Sequence, residues 1–171
     1  MKRKNIPKQT VYIETTVLSY LTSRPSRDLL VAAHQQVTTE WWEKWLPVFE
    51  PFISSLVIEE ISRGDETAAR LRMEKIAKFP ILEITNGVRR LADTYFRAIQ
   101  ISEKARGDAY HLALAAFHGM DFLVTWNFGH ILNPQVRTVV QTINTVQGIS
   151  TPIICTPEEL MEVEDEDRSN R

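Results

Sequence analysis

Val11-Tyr12-Ile13-Glu14-Thr15-Thr16-Val17-Leu18-Ser19-Tyr20-Leu21 is the stretch on which the reading of this chain turns. Three β-formers run straight into an acid, and a pair of small hydroxyl residues then starts a helix. An acid abutting an apolar strand is disfavoured unless something at the strand end uses it. Taken alone, Glu14 is more often a turn acid than a ligand, so its meaning depends on what else gathers there.

Four further short apolar runs read as strands: Phe52-Ile53, Ile81-Leu82-Glu83-Ile84, Phe122-Leu123-Val124-Thr125 and Pro152-Ile153-Ile154. Segments of helical spacing separate them, and that βαβα alternation implies a parallel five-stranded sheet covered on both faces. The first long helix is expected to start at Ser26 as N-cap and to end before Pro47. Its stripe is Leu30, Ala33, Val37, Trp41 and Trp45. Trp41 and Trp45 read as core, and Trp42, off the stripe, is freer to act at the surface. A short helix follows Ser54-Ser55 and stops at Gly64. Asp65 or Thr67 caps the next, which reaches Pro80. Further helices are expected over 88–99 and 106–118, and from Asn133-Pro134 to a close at Gly148.

A chain of 171 residues is one domain with room for a single buried core. Its net charge of −2 hides an asymmetry. The last 14 residues hold seven acids and two arginines, which leaves 15 acids against 18 bases in residues 1–157. We therefore expect a basic lead over 1–9, a packed domain over 10–157 and an acidic, flexible tail over 158–171. A mildly basic body is compatible with a nucleic-acid partner without demanding one. Cys155, the lone cysteine, reads as a small core hydrophobe and fits a reducing, cytoplasmic setting. No run of 18 apolar residues is present to span a membrane, and no apolar run follows Lys2, Arg3, Lys4 and Lys8 to make a signal sequence.

In an open parallel sheet, ligands bind beyond the carboxyl ends of the strands, where strand order reverses. The first strand ends at Glu14 and the fourth at Thr125-Trp126-Asn127. The short helix carries Glu59-Glu60, and the most apolar helix carries Asp108 in its first turn. Each has a bland reading; Asp108, for instance, would favour the positive end of its helix by about 0.3–1 kcal/mol. Together they can converge, and hard oxygen ligands of this sort suit Mg2+ or Mn2+, which activate water and neutralise phosphate charge. Thr15 and Thr125 are candidates for positioning water, acids or phosphate. His111, one turn after Asp108, shares its face; His130 is placed to line the cleft, and Arg106 is the best phosphate candidate among the arginines. No Cys/His spacing suggests zinc, no glycine-rich phosphate loop is present, and no Ser/His/Asp spacing supports a nucleophilic hydrolase.

The same residues resemble a known family. Residues 11–21 resemble the opening motif of PIN domains. Ser54-Ser55-Leu56-Val57-Ile58-Glu59-Glu60-Ile61-Ser62-Arg63-Gly64 resembles the second motif. Asp108-Ala109-Tyr110-His111-Leu112-Ala113 and Asp121-Phe122-Leu123-Val124-Thr125-Trp126-Asn127 resemble the third and fourth. The closest flavour is the VapC-like toxins. The resemblance implies a three-layer α/β/α sandwich, a Mg2+ or Mn2+ site and endoribonuclease activity on RNA. It also implies a homodimer and, for the toxin branch of type II toxin–antitoxin pairs, a small antitoxin partner. By position the metal set maps to Glu14, Glu60 and Asp108, with Asn127 in the fourth place. Two departures matter: Glu14 is one methylene longer than the usual aspartate, and Asn127 has lost the charge. They leave open a catalytically weak or inactive module that binds RNA or a protein.

Overall fold

The apolar runs become five parallel strands in the order β3-β2-β1-β4-β5. In the computed structural model, which describes residues 7–161, these are β1 (Thr10–Ile13), β2 (Glu50–Ser54), β3 (Ile81–Leu82), β4 (Phe122–Val124) and β5 (Ile153–Cys155). β1 is central. Val11 pairs with Pro51 of β2 on one side and Phe122 of β4 on the other. Val11, Tyr12 and Ile13 are fully buried, as a strand covered on both faces requires.

Helices α1 (Thr15–Thr22), α2 (Leu29–Glu40), α3 (Ser55–Ile61) and α4 (Glu66–Ile76) link β1, β2 and β3. Helices α5 (Asn86–Ile99), α6 (Arg106–Phe117) and α7 (Pro134–Gln147) accompany the return to β4 and β5. Within each group the helices touch: α1 meets α2, α3 and α4, and α5 meets α6 and α7. The strands advance one way from β1 to β3 and the other way from β4 to β5. Right-handed connections therefore put the two helical groups on opposite faces, giving the expected three-layer α/β/α sandwich.

Two expectations need correction. The N-cap of α2 is Asp28, whose carboxylate accepts the Val31 N–H at 3.0 Å, while Ser26 only accepts the Asp28 N–H in the turn before it. The early part of the stripe also faces water: Leu30 is 67% exposed, and the helix is buried instead through Thr38 and Trp41. Past Glu40 the helix widens into a π-helical turn, Trp41–Trp45, before the Pro47 ring ends the regular ladder. Trp41 and Trp45 are buried as expected, and Trp42 is half-buried against Trp41 and Phe79.

The second correction is at the carboxyl end. Residues 157–161 are helical, so the packed body does not stop at 157. Thr156 and Glu159 form a capping box: the threonine hydroxyl accepts the Glu159 N–H at 3.2 Å, and the glutamate accepts the Thr156 N–H at 2.8 Å. Leu160 is 1% exposed within the core. The rest of the expected acidic tail, 162–171, and most of the basic lead, 1–6, lie outside the described residues. Cys155 is buried, and burial pushes its thiol up to about 12.

Candidate active site

Strand order reverses between β1 and β4, and there the ends of the two strands meet. The Glu14 N–H donates to the Val124 carbonyl at 3.1 Å, extending the ladder to the first residue past β1. Glu14 is also the N-cap of α1. Its Oε2 accepts from the Thr16 N–H at 3.1 Å, the Thr16 hydroxyl at 2.5 Å and the Thr125 hydroxyl at 2.7 Å. The turn-acid reading therefore describes one carboxylate oxygen and leaves the other available. Three donors hold one carboxylate oxygen, while Oε1 accepts no hydrogen bond from the described residues. Thr16 is held in turn by the Trp126 N–H, at 2.8 Å, and Thr125 by the Asn127 N–H, at 3.0 Å.

From α3, Glu60 turns inward and Glu59 outward, because adjacent helical positions lie about 100° apart. Glu59 pairs with Arg63 at the surface. Glu60 accepts from the Thr15 hydroxyl and lies 3.1 Å from His111 Nε2. His111 is fully buried, and its other nitrogen lies 2.8 Å from the Tyr12 hydroxyl, which lies 2.8 Å from Ser54 Oγ. Ser54 is the N-cap of α3, accepting the Val57 N–H at 3.2 Å. One buried polar chain thus ties β1, the start of α3 and the middle of α6 together. Burial alone would push the His111 pKa down, but its hydrogen bond to Glu60 and the charges of Glu14, Glu60 and Asp108 raise it. Burial likewise pushes the Glu60 carboxyl up, and the partners His111, Thr15 and Arg63 outweigh it, leaving it below its ordinary value. Tyr12 is held well above the usual phenol range, chiefly by burial, and stays neutral.

Asp108 sits in the first turn of α6. Burial raises its pKa, joined by the Glu14 charge and opposed by His111, His130 and the Asn127 hydrogen bond. The Asn127 amide nitrogen donates to Asp108 Oδ1 at 3.0 Å, and its carbonyl oxygen accepts the His130 N–H at 3.0 Å. This changes the meaning of the fourth position. Its oxygen closes a turn, and its amide nitrogen joins it to Asp108. His130 is exposed.

Arg106 is drawn off elsewhere. Its guanidinium forks onto Glu103 at 2.8 and 2.9 Å, reaches Asp93 at 3.4 Å and lies 3.9 Å over the Phe96 ring. Asp121 serves the turn before β4, accepting from the Thr10 N–H and hydroxyl at 2.7 and 2.9 Å, at the opposite end of the strands. Tyr12 and Ser54 were legible in the sequence only as a strand residue and a cap. The missed signal is the period of two, which puts Tyr12 on the same side of the chain as Glu14.

One ligand atom from each of Glu14, Glu60 and His111 lies within 4.8 Å of the others, so these donors fit a small divalent ion. Asp108 adjoins this group without belonging to it.

No protein-family model matches the chain, and no curated protein matches it in sequence. Solved structures do share its fold. VapC20 of Mycobacterium tuberculosis, a sarcin–ricin loop cleaving toxin, superposes with a TM-score of 0.54 at 15% identity, covering 70% of this chain and 91% of that one. A chain of VapBC2 from Rickettsia felis, solved bound to a DNA fragment from their promoter, superposes with a TM-score of 0.51 at 11% identity, covering 86% of this chain and 98% of that one.

Proposed function

We propose, on the premise of a PIN-like fold of the VapC kind, that the chain is a metal-dependent endoribonuclease and the toxin of a type II toxin–antitoxin pair. The observation that carries this reading is the convergence of Glu14, Glu60, Asp108 and His111 at the strand-order reversal, from the end of β1, from α3 and from α6, three places spread over the chain. Glu14 and Glu60 hold Mg2+ or Mn2+ in this reading, and Asp108 faces the same space. The ion supplies a Lewis acid that activates water and neutralises charge developing on the phosphate. The two glutamates and Asp108 would hold the ion and orient the attacking water, and the ion would be what draws the anionic phosphodiester into line. Asp108 is placed to accept the proton that the water gives up, and Asn127 holds its carboxyl in place. Thr15, Thr16 and Thr125 act by keeping the glutamates oriented.

The partners follow from the same reading: an RNA substrate, a small antitoxin and a second copy of the chain. Among the described residues no helix is long and apolar enough to cross a membrane, and a cytoplasmic setting belongs to the proposal. The test is cleavage of a structured RNA by the purified chain with Mn2+ or Mg2+, beside Asp108→Asn. Metal-dependent cleavage that falls by about 100-fold or more in the variant is the expected result. Equal cleavage by both proteins, or none by the wild type, overturns the reading.

A further inference from the structure

We propose that His111 is itself a metal ligand, its Nε2 joining carboxylate oxygens of Glu14 and Glu60 in a mixed nitrogen–oxygen site that favours Mn2+ over Mg2+. This rests on the metal-dependent reading above but replaces an all-carboxylate set with one that contains an imidazole.

The spacing is the first support. His111 Nε2 lies 3.1 Å from Glu60 Oε2 and 3.9 Å from Glu14 Oε1. Donors about 2.1 Å from a shared ion sit roughly 3.0–3.5 Å apart, for octahedral to tetrahedral angles. Small shifts from the present separations meet that range.

The second support is the way the imidazole is held. A ligating histidine ordinarily donates its remote N–H to a fixed acceptor, which sets the tautomer and aims the ligating nitrogen. Here the remote nitrogen meets the Tyr12 hydroxyl at 2.8 Å, and that hydroxyl is anchored by Ser54 at 2.8 Å. With Nδ1 donating to the tyrosine oxygen, an ion between the two glutamates would replace the proton that Nε2 otherwise shares with Glu60 and take up the Nε2 lone pair. The Glu14 carboxylate is built in the same manner, with one oxygen saturated by three donors and the other 3.9 Å from His111 Nε2.

The third support is what stands outside the cluster. Asp108 is not within the 4.8 Å group, and Asn127 spends its carbonyl on the His130 N–H. The tightest donor set is therefore Glu, Glu and His. Imidazole is a poor partner for Mg2+, which prefers oxygen and keeps its waters, whereas Mn2+ accepts both nitrogen and oxygen.

The experiment is pulsed electron paramagnetic resonance on the full chain loaded with Mn2+, reading the nitrogen-14 modulation of a directly bound imidazole. Competition with Mg2+ gives the relative affinities. Nitrogen coupling in the wild type, its loss in His111→Gln, and Mn2+ affinity more than about tenfold above that for Mg2+ are expected. Tyr12→Phe should keep the coupling while weakening Mn2+ binding by about 10–100-fold. Far-UV circular dichroism checks that each variant is folded. Bound Mn2+ with no nitrogen coupling in the wild type overturns the assignment, as does failure to bind Mn2+ at all. RNA cleavage without the coupling would sink this inference alone, and coupling without cleavage would sink only the nuclease reading.

Discussion

Glu14 shows how one side chain serves two demands. Its Oε2 closes the first turn of α1 and is locked by Thr16 and Thr125, so the cap holds the other oxygen still. The Glu60–His111 pair beside it predicts a pH dependence in the chelated, metal-free protein. Glu60 has a pKa lowered from 4.5, so its stabilisation is present above 4.5 and lost as pH falls through the folded value. His111 has a pKa raised from 6.5, so its stabilisation is complete below 6.5 and lost as pH rises through the folded value. Asp108, with a pKa raised from 3.8, works in the same direction as His111 and against Glu60, withdrawing stability as pH climbs through its folded value. The urea midpoint should therefore fall as pH rises from 6.5 through the folded value of His111, and His111→Gln should flatten that fall. A wild-type midpoint that does not move over this range would remove the His111–Glu60 charge pair from the account. Much of this residue scale was legible: Glu14, Glu60 and Asp108 stand where strand ends and helix starts placed them. What Asn127 does was not. Whether its oxygen faces a metal or closes a turn depends on the path of the chain through His130, which no local pattern specifies.

At the scale of elements, α3 depends on a cap that has a second partner. Ser54 accepts the Val57 N–H while its oxygen also meets the Tyr12 hydroxyl, and the residue is fully buried. Ser54→Ala should cost about 1–3 kcal/mol by urea denaturation, combining a lost cap with the loss of one of the two partners of the buried Tyr12 hydroxyl. A change below about 0.5 kcal/mol would show that the cap is replaced by water. The sequence announced this element well, because a serine before an apolar run is a strong start signal. It misplaced the start of α2, because Ser26 and Asp28 are both good caps two residues apart. It also misjudged the stripe there, since Leu30 has helical spacing yet stands in water. Periodicity tells which residues share a face, and only the neighbouring layer decides whether that face is covered.

The whole molecule follows from short apolar runs, one parallel sheet and right-handed connections, and that much was readable from the alternation of elements. The carboxyl boundary was not, because the acidic composition after 157 outweighed one leucine. Leu160 is nonetheless part of the core, and Leu160→Ala should lower stability by about 2–5 kcal/mol, measured by urea or thermal unfolding. A loss under about 1 kcal/mol would mean that the last helical turn packs on the body without supporting it.

The sheet order carries a further consequence, for the time course of synthesis. β1 pairs with β4 as well as with β2, and the Thr125 hydroxyl that locks Glu14 lies 111 positions later in the chain. At roughly 5–20 residues per second, the ribosome takes about 6–22 s to cover that interval. Throughout it the first acid exists without the threonine that orients it, without Asp108 and without His111 for most of the wait. A growing chain therefore has no assembled centre, and whatever activity the finished protein has is withheld from the machinery that makes it until β4 emerges.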